Sequence, residues 1–191
     1  CWYDGYSWLG EKVYNPFDIL LYLAEGEFRP YWFETGTPAF LIKIMYERKY
    51  YLPRLSKLRV GGELIESFDL DRINPENLLF QTGYLTIKRK EVELGTIIYT
   101  LSFPNKEVEI SFTNSLLDYL VEDYYSKEEN KHYLREAIRE NDFGRIRKIF
   151  HSFFASIPHD WYRRNDIGGY EGYYASVVYA YFCASGFDVV V

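Results

Sequence analysis

Glu171 is an acidic side chain near the start of a helix that the sequence predicts from Tyr170 onwards. With 3.6 residues per turn, it shares a predicted helix face with Tyr174, Val178 and Phe182. A carboxylate against an apolar stripe points to chemistry, but one carboxylate supplies too few oxygens to hold Mg²⁺ by itself. An acid in the first helical turn is also stabilised by the helix dipole, by ~0.3–1 kcal/mol. The residues alone therefore leave a functional and a structural interpretation open.

The cysteines and histidines, which are the other candidates for chemistry, are not spaced as metal ligands are. The two cysteines stand near the two ends of the chain, and the three histidines show neither a His-x-x-x-His nor a His/Cys spacing. This pattern predicts no zinc site, and it predicts surface or capping roles for the histidines. The residues are Cys1, Cys183, His132, His151 and His159.

Charge is distributed unevenly along the chain. Segment 126–166 carries nine Lys and Arg against seven Asp and Glu, whereas the whole chain has a net charge of −6. Arg145, Arg147 and Lys148 could meet a phosphate there, although a solvated polar face is favoured. Asp188 is predicted to point to solvent from an edge strand rather than to bind metal. The negative total argues against a broad basic surface for nucleic acid.

Composition indicates a folded protein with a real core. Of 191 residues, 48% are hydrophobic and 20% aromatic. No signal peptide and no apolar run of membrane-spanning length is visible, so we expect a reduced, cytoplasmic protein without a membrane partner. The chain begins with Cys1 and ends in an apolar run, which predicts a piece of a longer protein.

Three helix starts place a capping side chain before a proline at the first helical position, namely Asn15-Pro16, Thr37-Pro38 and Asn74-Pro75. The first two helices are predicted to be short core helices. Their expected apolar faces are Ile19, Leu20, Leu23 and Ala24 in the first, and Phe40, Leu41, Ile44 and Met45 in the second.

Residues 74–103 are predicted to form a helix, a strand over 84–88, a charged loop over 89–95 and a second strand. A helix follows from Val108. This order is typical of a winged-helix module. Two shorter signals have structural interpretations: Asp4-Gly5 predicts a turn, and the aromatic cluster of Tyr31, Trp32 and Phe33 predicts packing rather than base stacking.

The polar run over 124–130 is the predicted boundary between two units, 1–125 and 126–191. Beyond it we expect a helical hairpin striped with phenylalanine, a helix over 170–185 and a strand over 187–191. The predicted fold class is mixed α+β and predominantly helical.

Three groups of segments resemble one bacterial family, the AAA-ATPase-like proteins that carry a PD-(D/E)XK nuclease-like domain at their C-terminal end. The groups follow the family's order and span almost the whole chain. They are WYDGY (2–6) with VYNPF (13–17) and YWFETG (31–36); LLFQTGYLTI (78–87) with FPNKEV (103–108); and YEGYY (170–174).

The resemblance implies a division of the chain and a role for Glu171. Residues 1–125 would be the helical lid and winged-helix-like region of the ATPase-like part, and 126–191 the first helices and strand of the nuclease-like α/β domain. Glu171 matches the catalytic helix glutamate of the nuclease motif, which helps to form the metal site. The family's ATP and Mg²⁺ would belong to the longer parent, because this chain has no Walker motif and no Glu-x-Lys strand.

The implied function is that of a fragment of an ATP-dependent, nuclease-like protein acting on DNA or RNA. The alternative is a non-catalytic winged-helix module of an ATPase switch, with a degenerate nuclease-like domain. We also expect self-association through 170–191, because the helix face and strand edge there are predicted to be left uncovered.

We predict that this chain neither hydrolyses ATP nor binds it measurably, because it has no glycine-rich loop to surround the phosphates. Calorimetric titration with Mg-ATP should give no saturable heat. Saturable binding in the micromolar range would contradict the prediction.

Overall fold

The computed structural model of the chain describes residues 2–31, 39–66, 74–120, 124–156 and 167–190. The Thr37-Pro38 helix start, Trp32, Phe33 and His159 lie outside these ranges. The described chain is mixed α+β and predominantly helical, which confirms the predicted class.

Helices begin where the sequence places capping side chains. The Oδ1 atom of Asn15 accepts a hydrogen bond from the backbone N–H of Phe17 (3.0 Å), and that of Asn74 accepts one from Glu76 (2.8 Å). The described α-helices are α1 (Pro16–Glu25), α2 (Ala39–Glu47), α3 (Gly62–Glu66), α4 (Pro75–Gln81), α5 (Lys106–Leu120), α6 (Tyr124–Arg139), α7 (Phe143–Ser156) and α8 (Ile167–Ala184), with a 3₁₀ helix at Leu52–Lys57. None of the helices in the described ranges is long and apolar enough to cross a membrane.

The strands form two small antiparallel sheets: β1 (Asp4–Tyr6) with β2 (Val13–Tyr14), and β3 (Leu58–Gly61), β4 (Thr86–Glu93) and β5 (Thr96–Ser102) in the order β3-β5-β4. The predicted charged loop over 89–95 is wrong for most of its length. Strand β4 continues to Glu93, and the hairpin turns on Leu94 and Gly95, both of which have positive φ. Such a two-residue turn matches the right-handed twist of the strands.

One hydrophobic core joins the helices to the three-stranded sheet. It takes residues from both sides of the predicted boundary, including Leu101 and Phe112 on one side and Leu134 and Val177 on the other. The polar run over 124–130 lies in the first turns of α6. The division at Ser126 stays a prediction.

Helix α1 does not have the predicted apolar face towards the core. Leu20 and Leu23 are 67% and 72% exposed, whereas Asp18 is the buried residue of this helix. The interior position of α1 is taken by Asp18, which interacts with a second buried acid, Glu107. In α2 the buried face is Leu41, Ile42, Ile44 and Met45, and the predicted member Phe40 is exposed.

The carboxyl-terminal helix is covered, contrary to the expectation of an exposed apolar face. Val177 and Tyr181 in α8 are fully buried. Helix α5 and the 3₁₀ helix pack on α8, and Phe150 and Phe153 of α7 contact the Tyr181 ring. Residues 187–190, predicted as a strand, pair with no strand among the described residues. Self-association stays a prediction, without its original structural reason.

Gly5 lies in strand β1 and not in the predicted turn. Its φ is +137°, and a Cβ atom built on it would stand 1.8 Å from the carbonyl oxygen of Pro104. No side chain fits in that space, and the neighbour is rigid backbone. Glycine is therefore required where β1 crosses the start of α5.

We predict that Gly5→Ala lowers the free energy of unfolding by about 3 kcal/mol or more, since it combines a disfavoured φ with a backbone clash. Urea unfolding followed by tryptophan fluorescence measures the change. Gly10→Ala is the matched control, because nothing lies within 4 Å of a Cβ atom there. Equal stability of the two variants would contradict this prediction.

Candidate functional site

Glu171 lies in the first part of α8, and its side chain is exposed. In the described ranges, no group of three or more His, Cys, Asp or Glu side chains is placed to hold a metal ion. Two side chains of the helix face that made Glu171 conspicuous in the sequence, Tyr174 and Phe182, are half-buried against Phe154 and Phe150 of α7. Its catalytic role remains a prediction based on resemblance.

Of the three basic residues of the helical hairpin that could meet a phosphate, Arg145 is engaged by neighbouring acids, while Arg147 and Lys148 are exposed. Arg145 Nη2 is 2.7 Å from Glu136 Oε2, and its Nη1 atom is 3.4 Å from Glu140 Oε2. His132 Nε2 is 3.2 Å from Glu136 Oε1, while His151 is exposed. These contacts fit the solvated polar face expected from the sequence.

Segments that carry the family resemblance meet at the start of helix α5. The first of them crosses the FPNKEV segment (103–108), with the Gly5 backbone against Pro104. It is also fastened to β4, because the N–H of Ser7 donates to Thr86 Oγ1 (2.8 Å) and that hydroxyl donates to the Ser7 carbonyl (2.7 Å). The structure thus brings together residues that are about 80–100 positions apart in sequence.

The first turn of α5 is capped by Asn105, and its Lys106 side chain forms ion pairs with two acids. Asn105 Oδ1 accepts a hydrogen bond from the Val108 N–H (3.0 Å). Lys106 Nζ lies 3.1 Å from Glu109 Oε2 and 2.6 Å from Asp188 Oδ1. Burial lowers the pKa of Lys106, but these two carboxylates outweigh it and raise the pKa overall. Asp188, largely exposed as predicted, thus ties the carboxyl-terminal segment to α5.

Asp18 and Glu107 form a pair of fully buried acids between α1 and α5. No hydrogen bond of regular geometry reaches either Asp18 oxygen among the described residues, and the Glu107 carboxyl is near enough to affect the pKa of Asp18. Burial raises the pKa of Asp18, and the interaction with Glu107 offsets only part of that rise. Burial and these two acids together raise the pKa of the neighbouring Tyr6 hydroxyl.

On the opposite side of the same turn lies an open cleft of about 350 Å³. The ammonium group of Lys88 donates to the Pro104 carbonyl at its edge (3.1 Å). Burial and the nearby charge of Lys12 lower the pKa of Lys88, and Asp4 opposes this in part. The residues whose side chains or backbone line the cleft are Asp4, Gly5, Lys12, Ser56, Lys88, Ser102, Phe103, Pro104, Asn105, Lys106, Glu109 and Val189.

Sequence reasoning missed both the acid pair and the cleft. Lys12, Lys88 and Lys106 have no common spacing, and Asp18, three residues after the Asn15 cap, stands where a capping-box acid is expected. One sequence signal could have pointed to this region: two of the segments that carry the family resemblance, 2–6 and 103–108, both contain turn or capping residues.

Sequence comparison finds a similar protein in Azotobacter chroococcum mcd 1, described as "Uncharacterized protein in vnfD 5'region". It is 46% identical over 188 residues, which cover 98% of this chain and 36% of the relative. The chain thus spans about a third of the length of this relative. No protein-family model matches the chain. No solved structure matches it.

The buried acid pair predicts a pH-dependent stability. Folding raises the pKa of Asp18. The contribution of this residue to the free energy of unfolding is therefore complete below the ordinary pKa of an aspartic acid, and it is lost as the pH rises through the raised pKa. Asp18→Asn removes this loss, since its amide can donate to Glu107 without a charge. The free energy of unfolding of the variant, relative to that of the wild type, should therefore increase as the pH rises from 4 to 8.

Urea unfolding at several pH values measures this difference. Glu11→Gln, which changes an exposed acid close by in sequence, is the control and should follow the wild type. A constant difference between Asp18→Asn and the wild type over this range would show that Asp18 does not carry the effect.

Proposed function

We propose that this chain is a binding and control region of a larger ATP-dependent, nuclease-like protein that acts on nucleic acid. Within it, residues 39–102 would be a winged-helix-like module, and 126–191 would begin the nuclease-like domain. ATP and Mg²⁺ would be used elsewhere in the longer protein. Contact with nucleic acid would be the role of this chain.

The observation that carries the proposal is the order of elements around the three-stranded sheet. Helix α2 precedes β3, helices α3 and α4 lie between β3 and β4, and β4 and β5 form a long hairpin. The sheet order β3-β5-β4 puts the last strand in the middle. A winged helix has this succession of helix, strand, two helices and a two-stranded wing.

The charges of the module favour the hairpin over the helix as the contact with phosphates. Helix α4 has no basic residue, and Glu76 lies in its first turn. Strand β4, in contrast, carries three consecutive basic residues, Lys88, Arg89 and Lys90. Arg89 and Lys90 are exposed, and Arg89 pairs with Glu91 (2.8 Å). Lysine and arginine side chains on a projecting hairpin can bind the nucleic-acid backbone without reading its sequence.

A second candidate function is protein binding through the hairpin tip. Val92 is 68% exposed and Leu94 is fully exposed, so the tip presents apolar side chains beside the basic ones. Exposed apolar side chains at a projecting tip favour a protein partner over nucleic acid. This candidate fits the alternative of a non-catalytic module in an ATPase switch. It predicts that Leu94→Ser weakens partner binding and leaves nucleic-acid binding unchanged.

We predict that the chain binds DNA or RNA in a salt-dependent manner and that Arg89→Gln/Lys90→Gln weakens binding. Fluorescence anisotropy with labelled single- and double-stranded oligonucleotides at 50–200 mM salt measures both effects. Each lost phosphate contact should reduce the slope of log K against log salt by about 1.

Lys43→Gln is the control, because this exposed lysine lies on α2, outside the hairpin. It should bind as the wild type does. If the wild type shows no binding to any of the oligonucleotides at 50 mM salt, the nucleic-acid role of this chain is wrong. Binding that is equally strong in the hairpin variant would exclude the hairpin as the contact.

A further inference from the structure

We propose that the cleft at the start of α5 is a binding site for a phosphate group, held between Lys12 and Lys88. The site is separate from the exposed Arg89 and Lys90 of the hairpin, and it does not depend on the proposed function. A phosphate of a nucleic-acid backbone and a free phosphate compound offer the same chemistry, and the experiment distinguishes the two sources.

Two like charges, those of Lys12 and Lys88, line the same cleft. Lys12 and Lys88 are near enough for the charge of one to lower the pKa of the other. Neither forms an ion pair with a described residue. Asp4 offsets part of the repulsion between the two ammonium groups, and an anion bound between them would remove the rest.

The lining of the cleft holds three lysines and two acids. Glu109 is occupied by Lys106, which also pairs with Asp188. Lys106 thus takes two acids, and Asp4 alone stands against Lys12 and Lys88. The cleft and Asp188 together are neutral, on a chain whose net charge is −6, and the incompletely balanced ammonium charge lies at Lys12 and Lys88.

The cleft has the size and shape of a small ligand site. Its volume of about 350 Å³ exceeds that of a single water site and falls at the small end of ligand pockets, which hold roughly 300–1,000 Å³. The backbone of Gly5 forms one wall, with no side chain to fill the space. Lys88 is oriented by its bond to the Pro104 carbonyl, so its charge is already in place.

Phosphate fits this arrangement better than a carboxylate. Lysine acts as a point charge with three donors, so it suits a tetrahedral oxyanion that accepts from several directions. A planar carboxylate is best matched by the fork of an arginine, and no arginine lines the cleft in the part of the chain that the structure describes.

The test uses the whole chain with two probes, pyrophosphate by calorimetry and a labelled 12-nucleotide single strand by anisotropy. Pyrophosphate should bind with a Kd on the order of 1 mM. Lys12→Met and Lys88→Met should each weaken this binding by about tenfold, the effect of losing one charge-assisted contact. Lys12→Arg and Lys88→Arg keep the charge and should retain most of it.

Lys43→Met is the matched control and should bind as the wild type does. Displacement of the oligonucleotide by pyrophosphate assigns the site to the nucleic-acid backbone. Pyrophosphate binding that is lost in the two Met variants, without oligonucleotide binding, assigns it to a free phosphate compound. The proposal is overturned if pyrophosphate does not bind up to 20 mM, or if both Met variants bind it as the wild type does.

The same measurements separate this proposal from the proposed function. Oligonucleotide binding that needs Arg89 and Lys90, in a chain that does not bind pyrophosphate, would support the nucleic-acid role and overturn the phosphate site. Pyrophosphate binding by a chain that binds no oligonucleotide would support the phosphate site and overturn the nucleic-acid role.

Discussion

The backbone of Gly5 lies against the Pro104 carbonyl, and this contact sets how closely the amino-terminal segment approaches the start of α5. One side of the capped turn faces inward, where Glu107 meets Asp18 from α1. The other side opens into the cleft with Lys12 and Lys88. A side chain at position 5 would push the two segments apart and disturb both faces together.

Local signals predicted most of the helices, because caps and apolar stripes act over a few residues. Asn15 and Asn74 cap the helices expected of them, and Gly186 follows α8 with a positive φ. The predictions failed where contact with a residue far away in the sequence determines the local structure. Strand β1 exists because it pairs with β2, and Leu20 is exposed because Asp18 takes the interior position of α1. No local pattern contains those partners.

The candidate site was harder to predict for the same reason. Glu171 stood out because it belongs to a short recognisable motif, whereas Lys12, Lys88 and Asp18 belong to three different segments. Their proximity arises only after β1, β4 and α5 have come together. The resemblance includes the two segments that meet there, 2–6 and 103–108, in their order along the chain. It did not indicate that they touch.

Helix α1 is fixed to the rest of the molecule in an unusual way. Its buried residue is an acid, and its large apolar side chains at Leu20 and Leu23 face solvent. Little apolar surface is therefore lost when it detaches, so its local unfolding costs much less than global unfolding. The helix is expected to open as a separate unit while α5 and α8 stay closed. Its amide protons should then exchange with solvent long before those of the core helices.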